Sequence, residues 1–137
     1  MGRARAENHN RQSMKNTGKR NTVIPFLIHG DGSISGQGVC YESIQLQDLK
    51  NYSVGGTIHV IVNNQIAFTT VPSKGRSGMH PSDLGKTIGA PIFHCNADDI
   101  EAVHRVFKMA TEFRMIFNHD VIINLIGYRL RGHNELD

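Results

Sequence analysis

Four short apolar runs, separated by helical or glycine-rich segments, constrain this chain more than any other feature of its sequence. The runs cover residues 23–28, 58–62, 92–94 and 121–126. Continuous apolar runs of this length are typical of strands buried on both faces of a parallel sheet. The segments between them are long enough to form crossover connections between parallel neighbours. The sequence therefore predicts an α/β fold with a mainly parallel sheet and flanking helices.

One connection has a clear helical pattern. Within residues 98–117, apolar side chains recur at spacings of three and four, which places them in one stripe on a helix. The stripe consists of Ile100, Val103, Val106, Phe107, Ala110, Phe113 and Phe117. Asn96, Asp98 and Asp99 are candidates to cap the start of this helix. The sequence thus predicts a helix that packs one face against the sheet.

The remaining connections are less regular. A short helix is expected within residues 39–49, and the segment 67–91 is so rich in Gly and Pro that it is expected to be mostly loop. Pro25 cannot donate a backbone hydrogen bond, so it fits only near the start of the first strand.

The basic charge of the chain is concentrated at its N-terminus. Of 15 basic and 12 acidic residues, the first 22 positions hold six basic residues and one acidic residue. These positions have few apolar residues, so residues 1–22 are expected to form a basic connector, disordered or irregular. Residues 23–137 are expected to form the domain. They lack the Lys, Arg and aromatic face of a nucleic-acid-binding protein, and no nucleic-acid partner is expected.

Several other functional classes are excluded by simple patterns. No run of about 18 apolar residues is present, so no membrane span is expected. Cys40 and Cys95 cannot form a disulfide scaffold. The eight histidines do not pair at zinc-site spacing with each other or with cysteine.

Individual histidines are assigned by their position in the pattern. His59 lies inside a predicted strand and is expected to be structural, and His104 and His119 are expected at the surface. Three others fall at strand ends or in loops, where they are candidates for a polar site. These candidates are His29, His94 and His133.

Oxygen-bearing side chains follow the first two predicted strands. Asp31 ends the first strand and Asn64 ends the second. In open α/β sheets, ligands bind beyond the carboxyl ends of the strands. Mg²⁺ takes oxygen ligands, and a backbone carbonyl after Asn64 could add a third. Gly32 and Ser33 are small, so their backbone N–H groups could approach phosphate oxygens. Together these features predict a site for Mg²⁺ and a diphosphate.

Two alternatives stay open at this point. Asp31 could cap a helix while Asn64 makes a turn, since both duties are common. The glycines at 30, 32 and 36 form G-x-G-x-x-x-G, one residue longer than the dinucleotide fingerprint. A nicotinamide-binding α/β domain is therefore the alternative enzyme class.

The sequence motifs around these residues resemble those of the 2-oxoglutarate dehydrogenase family, in particular those of its decarboxylating component. That component depends on thiamine diphosphate. The resemblance covers nearly all of residues 23–137, and Gly2–Ala6 also resembles an internal family segment. It is carried by His29-Gly30-Asp31, Gly36-Gln37-Gly38-Val39, Val62-Asn63-Asn64-Gln65-Ile66, Phe68-Thr69-Thr70, Arg76-Ser77, Ala90-Pro91-Ile92-Phe93-His94, Tyr128-Arg129 and Gly132-His133-Asn134-Glu135. Some motifs are closer to those of the 2-oxoadipate paralogue. The resemblance therefore does not decide whether the substrate is 2-oxoglutarate or 2-oxoadipate.

The resemblance implies a thiamine diphosphate-binding fold, here incomplete, and a set of ligands. Asp31, Asn64 and the backbone carbonyl of Ile66 would hold Mg²⁺, and Asp31, Gly32, Ser33, Asn64 and Ile66 would line the cofactor. The family decarboxylates a 2-oxo acid and passes the acyl group to a lipoyl-bearing acyltransferase. It works as a homodimer, in the mitochondrial matrix of eukaryotes and otherwise in the cytoplasm.

The chain departs from the family pattern at two places near this site. Gly32, Ser33 and Ile34 stand where the family usually has two alanines and a phenylalanine, and Ala67 stands where glycine is usual. The family's catalytic glutamate and substrate-binding histidines lie in segments that this chain lacks. We therefore expect a fragment that is inactive in isolation, and a non-catalytic fragment that only binds partners is the alternative.

Overall fold

The computed structural model of the chain describes residues 2–15 and 22–133, with the backbone alone described for 11–15. The described residues form a parallel sheet with helices on both faces, which confirms the α/β prediction. Its elements are α1 (Gly2–Lys15), β1 (Phe26–Gly30), α2 (Asp31–Gly36), α3 (Gly38–Ile44), β2 (Ile58–Asn63), α4 (Pro72–Gly75), a 3₁₀ helix (Pro81–Ile88), β3 (Ile92–Asn96), α5 (Ile100–Phe117) and β4 (Val121–Ile126).

The four strands run parallel in the order β1-β2-β4-β3. In the register, Gly30 lies opposite Val62, and Asn63 lies opposite Ile126. The carboxyl ends of β1 and β2 are therefore level with each other at one edge of the sheet. This confirms the expectation that Asp31 and Asn64 follow strand ends on the same edge.

Each face of the sheet buries its own hydrophobic cluster. On one face, residues of α2, α3 and the 3₁₀ helix surround Ile61 and Ile122. On the other face, α5 packs on Val60 and Ile123. Alternate residues along β2 and β4 enter the two clusters, because successive side chains of a strand point to opposite faces. The central strands are accordingly the most buried part of the described chain.

The first strand differs from its predicted form. It begins after Pro25 and continues to Gly30, two residues beyond the predicted end. It lies at the edge of the described sheet, and Ile28 is 68% exposed, so the prediction of burial on both faces is wrong for this strand. Pro25 does lie at the strand start, where its carbonyl accepts a hydrogen bond from Ile58 at 3.0 Å.

The basic N-terminal segment also differs from its prediction. Gly2–Lys15 form a helix, so the expectation of irregular structure is wrong there, while residues 16–21 lie outside the described part. Asn8 is 1% exposed and donates hydrogen bonds to the carbonyls of Val23 and Val54. Arg5 donates to the carbonyl of Ser53 at 2.6 Å. The helix is therefore anchored by polar tertiary contacts, which composition does not reveal.

The segment 67–91 is more ordered than predicted, since it contains α4 and the 3₁₀ helix. The predicted helix near 98–117 is confirmed as α5, with Asp99 as its cap accepting from Ala102 at 2.9 Å. The ends of its apolar stripe are nevertheless exposed, at Ile100 and Phe117. Within the described ranges, none of the helices has the length and apolar composition that crossing a membrane requires.

Candidate functional site

A cavity of about 470 Å³ lies at the carboxyl ends of β1 and β2. Its lining includes every residue that the sequence predicted for the cofactor site, from three chain segments that meet at this edge. The five predicted residues are Asp31, Gly32, Ser33, Asn64 and Ile66, and the other lining residues are Gly30, Val62, Ala67, Phe68, Arg129, Gly132 and His133. The sheet therefore brings the predicted set together in one place.

Asp31 is a buried carboxylate at the start of α2. It is 3% exposed and is the first residue of the helix, whose N-cap is Gly30. No side-chain hydrogen bond caps this helix, so the structure does not support the alternative that Asp31 is a capping residue. Burying a carboxylate is costly unless a cation or hydrogen bonds compensate it. Its ion-pair partner is Arg76, whose Nη1 lies 3.6 Å from Oδ2.

Asn64 is held in a tight turn after β2. Its Oδ1 accepts a hydrogen bond from the backbone N–H of Ile66 at 3.3 Å, the turn-forming duty expected of an asparagine here. Gln65 between them has a φ of 62°, which bends the chain so that both neighbours line the cavity. Asn64 thus makes a turn and also belongs to the cavity wall, so the turn alternative and the site prediction are compatible.

The neighbouring Asn63 ties this turn to the centre of the sheet. Its Oδ1 accepts from the backbone N–H of Gln65 at 3.1 Å, and its Nδ2 donates to Oδ1 of Asn124 at 3.2 Å. Gln65 donates in turn to the carbonyl of Gly127 at 2.8 Å. These hydrogen bonds join the ends of β2 and β4, and they hold the backbone that carries Asn64 and Ile66.

Two basic side chains reach the cavity from the segment after β4. Arg129 and His133 both line it, and Nη1 of Arg129 lies 3.4 Å from Nδ1 of His133. The His133 ring also packs edge-on against Phe68, with centroids 4.5 Å apart. His133 was predicted as a candidate for a polar site. Arg129 was part of a family motif, but the sequence gave it no role. Asn134 and Glu135 of the same motif lie outside the described residues.

The other histidine candidates lie elsewhere. His29 borders a second cavity of about 330 Å³, and its Nε2 lies 3.1 Å from Nδ1 of His59. His59 is buried beside Asp120, with 3.4 Å between Nε2 and Oδ2, which confirms its structural role. His94 contacts Asn124 and packs against the His80 ring at an angle of 49°, and it does not line the Asp31 cavity. Neither His29 nor His94 therefore joins the candidate site.

Two further histidines were expected at the surface. His104 is exposed, as predicted, but His119 is half-buried against Gln47 and Asp48. Burial also lowers the pKa of His29 and His94, and the neighbouring His59 and His80 respectively add to this effect.

The glycine pattern does not meet the demands of a dinucleotide fingerprint. The last glycine of such a fingerprint allows close packing of helix against strand. A Cβ atom on Gly36 would meet no atom within 4 Å, so nothing requires glycine at that position. This observation disfavours the nicotinamide-binding alternative.

The chain matches the family described as "Dehydrogenase E1 component" over residues 3–137. It is 50% identical over 137 residues to the mitochondrial 2-oxoglutarate dehydrogenase of Saccharomyces cerevisiae, and 48% identical to the mitochondrial 2-oxoglutarate dehydrogenase-like protein of Rattus norvegicus. These matches cover the whole chain but 13% of each relative. A 2-oxoglutarate dehydrogenase E1/E2 component of Corynebacterium glutamicum is 53% identical over 116 residues, covering 85% of the chain and 10% of the relative.

Proposed function

The chain belongs to the dehydrogenase E1 component family, and we propose that it forms the diphosphate- and Mg²⁺-binding part of a thiamine diphosphate-dependent 2-oxo acid dehydrogenase. The observation that carries this proposal is the shared cavity. Asp31 follows β1, whereas Asn64 and Ile66 follow β2, 33 and 35 residues later in the chain, and all three line the same cavity.

The available ligands suit a hard divalent cation. Asp31 offers a carboxylate, Asn64 an amide oxygen and Ile66 a backbone carbonyl, and Mg²⁺ prefers such oxygen donors together with substrate phosphates. The described residues contain no cluster of three His, Cys, Asp or Glu side chains that could hold a metal. A site with one carboxylate therefore needs further oxygens, and a diphosphate supplies them.

The start of α2 suits the diphosphate itself. Gly32 and Ser33 lie in the first turn of the helix, where backbone N–H groups have no partner within the helix. Arg129 adds a positive charge on the same cavity wall. In this proposal, Asp31, Gly32, Ser33, Asn64 and Ile66 hold the metal and the diphosphate end of the cofactor.

When bound, thiamine diphosphate supplies a carbanion and an electron sink for decarboxylation of a 2-oxo acid. The residues of this chain bind and orient the diphosphate end, and the groups that act on the substrate belong to other parts of the family enzyme. The names of the relatives favour 2-oxoglutarate as the acid, with 2-oxoadipate as the alternative. The acyl group would pass to a lipoyl-bearing partner, within a homodimeric enzyme and, in a eukaryote, in the mitochondrion.

Two measurements test this proposal. Isothermal titration of the chain with thiamine diphosphate and Mg²⁺ is expected to show weak binding that requires both components. A chimera of the yeast relative, with this chain in place of the matching segment, is expected to decarboxylate 2-oxoglutarate. The isolated chain is expected to turn over no 2-oxo acid.

Opposite results would favour the alternative. A well-folded chimera that binds no cofactor would indicate a non-catalytic segment that only contacts partners. Turnover by the isolated chain would show that the residues for catalysis are already present in it.

A further inference from the structure

Arg76 is a charged residue that pairs with Asp31 and to which the sequence assigned no role. It follows α4, and its side chain is 12% exposed. Its Nη1 lies 3.6 Å from the Asp31 carboxylate, and its Nη2 donates to the carbonyl of Met79 at 3.5 Å. Its Nε is buried and has no hydrogen-bond partner within residues 2–15 and 22–133. The guanidinium is thus enclosed but incompletely satisfied.

This position has opposite consequences for cations and anions. A divalent cation that uses the Asp31 carboxylate must approach within a few ångström of the guanidinium, since both positive charges share one carboxylate. Partial burial weakens the screening of such charges by water. A diphosphate bound at the same metal brings negative charge toward Arg76, whose Nε–H is still free to donate among the described residues.

We propose that Arg76 makes this site select a metal–diphosphate complex over the free divalent cation. Arg76 competes with a bare cation for Asp31. When a diphosphate accompanies the metal, Arg76 attracts the anion and thereby strengthens the binding of the complex. This inference rests on the proposed function, because it assigns Asp31 to the metal. It adds a residue and a preference between ligands that the metal-ligand set alone does not specify.

A purely structural role for Arg76 predicts a different result. If the guanidinium only held Asp31 in position, its removal would loosen the carboxylate and weaken the binding of cation and complex alike. In the proposed role, neutralising Arg76 strengthens the binding of the bare cation and weakens the binding of the complex. The two roles therefore differ in the sign of one measurable change.

The experiment uses the full 137-residue chain and Mn²⁺ as a spectroscopic probe for the Mg²⁺ site. Mn²⁺ binding is followed by water-proton relaxation, first alone and then with inorganic pyrophosphate. Arg76→Gln removes the charge, and Arg76→Met is a second neutral variant that keeps the apolar stem if the first is poorly folded. Lys74→Gln is the matched control, because Lys74 is an exposed positive charge two residues away. Circular dichroism checks the fold of each variant.

We expect the neutral Arg76 variants to bind Mn²⁺ alone about tenfold more tightly and Mn²⁺–pyrophosphate about tenfold more weakly, the size typical for one close charge. Lys74→Gln is expected to change neither affinity by more than about twofold. Unchanged or weaker binding of Mn²⁺ alone in the Arg76 variants would overturn the selection by Arg76. Absence of any Mn²⁺ binding to the unmodified chain, with or without pyrophosphate, would overturn the proposed site as well.

Discussion

Gly32 and Ala67 pack so closely that the two positions together have room for only one methyl group. A Cβ atom built on Gly32 would overlap the Cβ of Ala67 and would also lie 3.3 Å from its Cα. The family pattern has alanine at the first position and glycine at the second, so this chain carries the same pair in exchanged order. The departures at Gly32 and Ala67 are thus one compensated exchange between the start of α2 and the turn after β2, the two segments that carry the proposed metal ligands.

This exchange predicts a strong coupling between the two positions. Gly32→Ala should lower the free energy of unfolding by about 1–3 kcal/mol, because an added methyl group has no space. Ala67→Gly alone should cost about 0.5–1 kcal/mol through the flexibility of glycine. The double variant should be more stable than Gly32→Ala, which urea unfolding of all four proteins measures.

Gly36→Ala provides the matched control for this cycle. Gly36 lies in the same helix, but a Cβ atom there meets nothing within 4 Å, so the substitution should be neutral or slightly stabilising. Additive effects at positions 32 and 67 would show that the two positions do not depend on each other.

Asp31→Asn should abolish most cofactor binding while preserving the fold. The amide has the shape of the buried carboxylate but not its charge, and the proposed metal would keep only neutral ligands from the chain. Loss of a direct ligand should exceed the 10–100-fold effect of an outer-shell change. Isothermal titration of the yeast chimera with thiamine diphosphate and Mg²⁺ measures it. Asp98→Asn, at an exposed position, is the control, and equal affinities of both variants would contradict the ligand assignment.

Arg114→Met should destabilise the fold more than any surface substitution. Arg114 is fully buried, and it donates hydrogen bonds to the carbonyls of Gly56, Val23 and Val54. Burial lowers its pKa, and the attraction of Asp120 opposes this effect. Removing the guanidinium takes one hydrogen bond from each of these carbonyls, and only those of Val23 and Val54 keep the bond from Asn8. The expected cost is about 3 kcal/mol. Urea unfolding should show this loss, and exposed Arg105→Met on the same helix should stay within about 0.5 kcal/mol of the original.

The stability of the chain should fall as the pH decreases below about 6.5, the ordinary pKa of histidine. The pKa of His29 is lowered in the folded state, first by burial and then by His59, so the unfolded chain binds its proton more readily. The stabilisation is complete above the unfolded pKa and is lost as the pH falls through the folded one. Thermal unfolding between pH 7.5 and 5.5 measures the slope.

His29→Gln should reduce this pH dependence, because the group with the lowered pKa is gone. His104→Gln, at an exposed position of α5, should leave the slope unchanged. An equal slope in all three proteins would assign the pH dependence to other groups, of which His94 also has a lowered pKa.

Much of the fold and half of the candidate site follow from short-range patterns. The apolar runs predicted parallel strands, and the carboxyl ends of parallel strands lie at a common edge, so the sequence alone places Asp31 and Asn64 together. The stripe of α5 was predictable for the same reason, since its spacing of three and four matches one helix face. The extent and exposure of β1 were not predictable, because its position at the edge of the sheet depends on which strands lie beside it.

Contacts between distant residues had no local signal. Arg76 reaches Asp31 across 45 positions, and the short family motif that contains it gave no sign of this contact. Likewise, Asn8 holds a helix of poor apolar content by hydrogen bonds to Val23 and Val54, so composition predicted irregular structure where tertiary contacts stabilise a helix.

The chain's pattern of apolar and polar residues was thus enough to specify the class of fold and the edge of the sheet at which the oxygen donors of Asp31 and Asn64 meet. Only the tertiary structure shows that Arg76 pairs with Asp31 and that Gly32 has no room for a side chain beside Ala67. It also shows that His29 and His94 do not line the cavity. The physical reason is that the two kinds of information depend on different separations along the chain. Periodicity is set by backbone geometry over a few residues, whereas charge pairing and steric exclusion depend on side chains that only the folded sheet brings within a few ångström of each other.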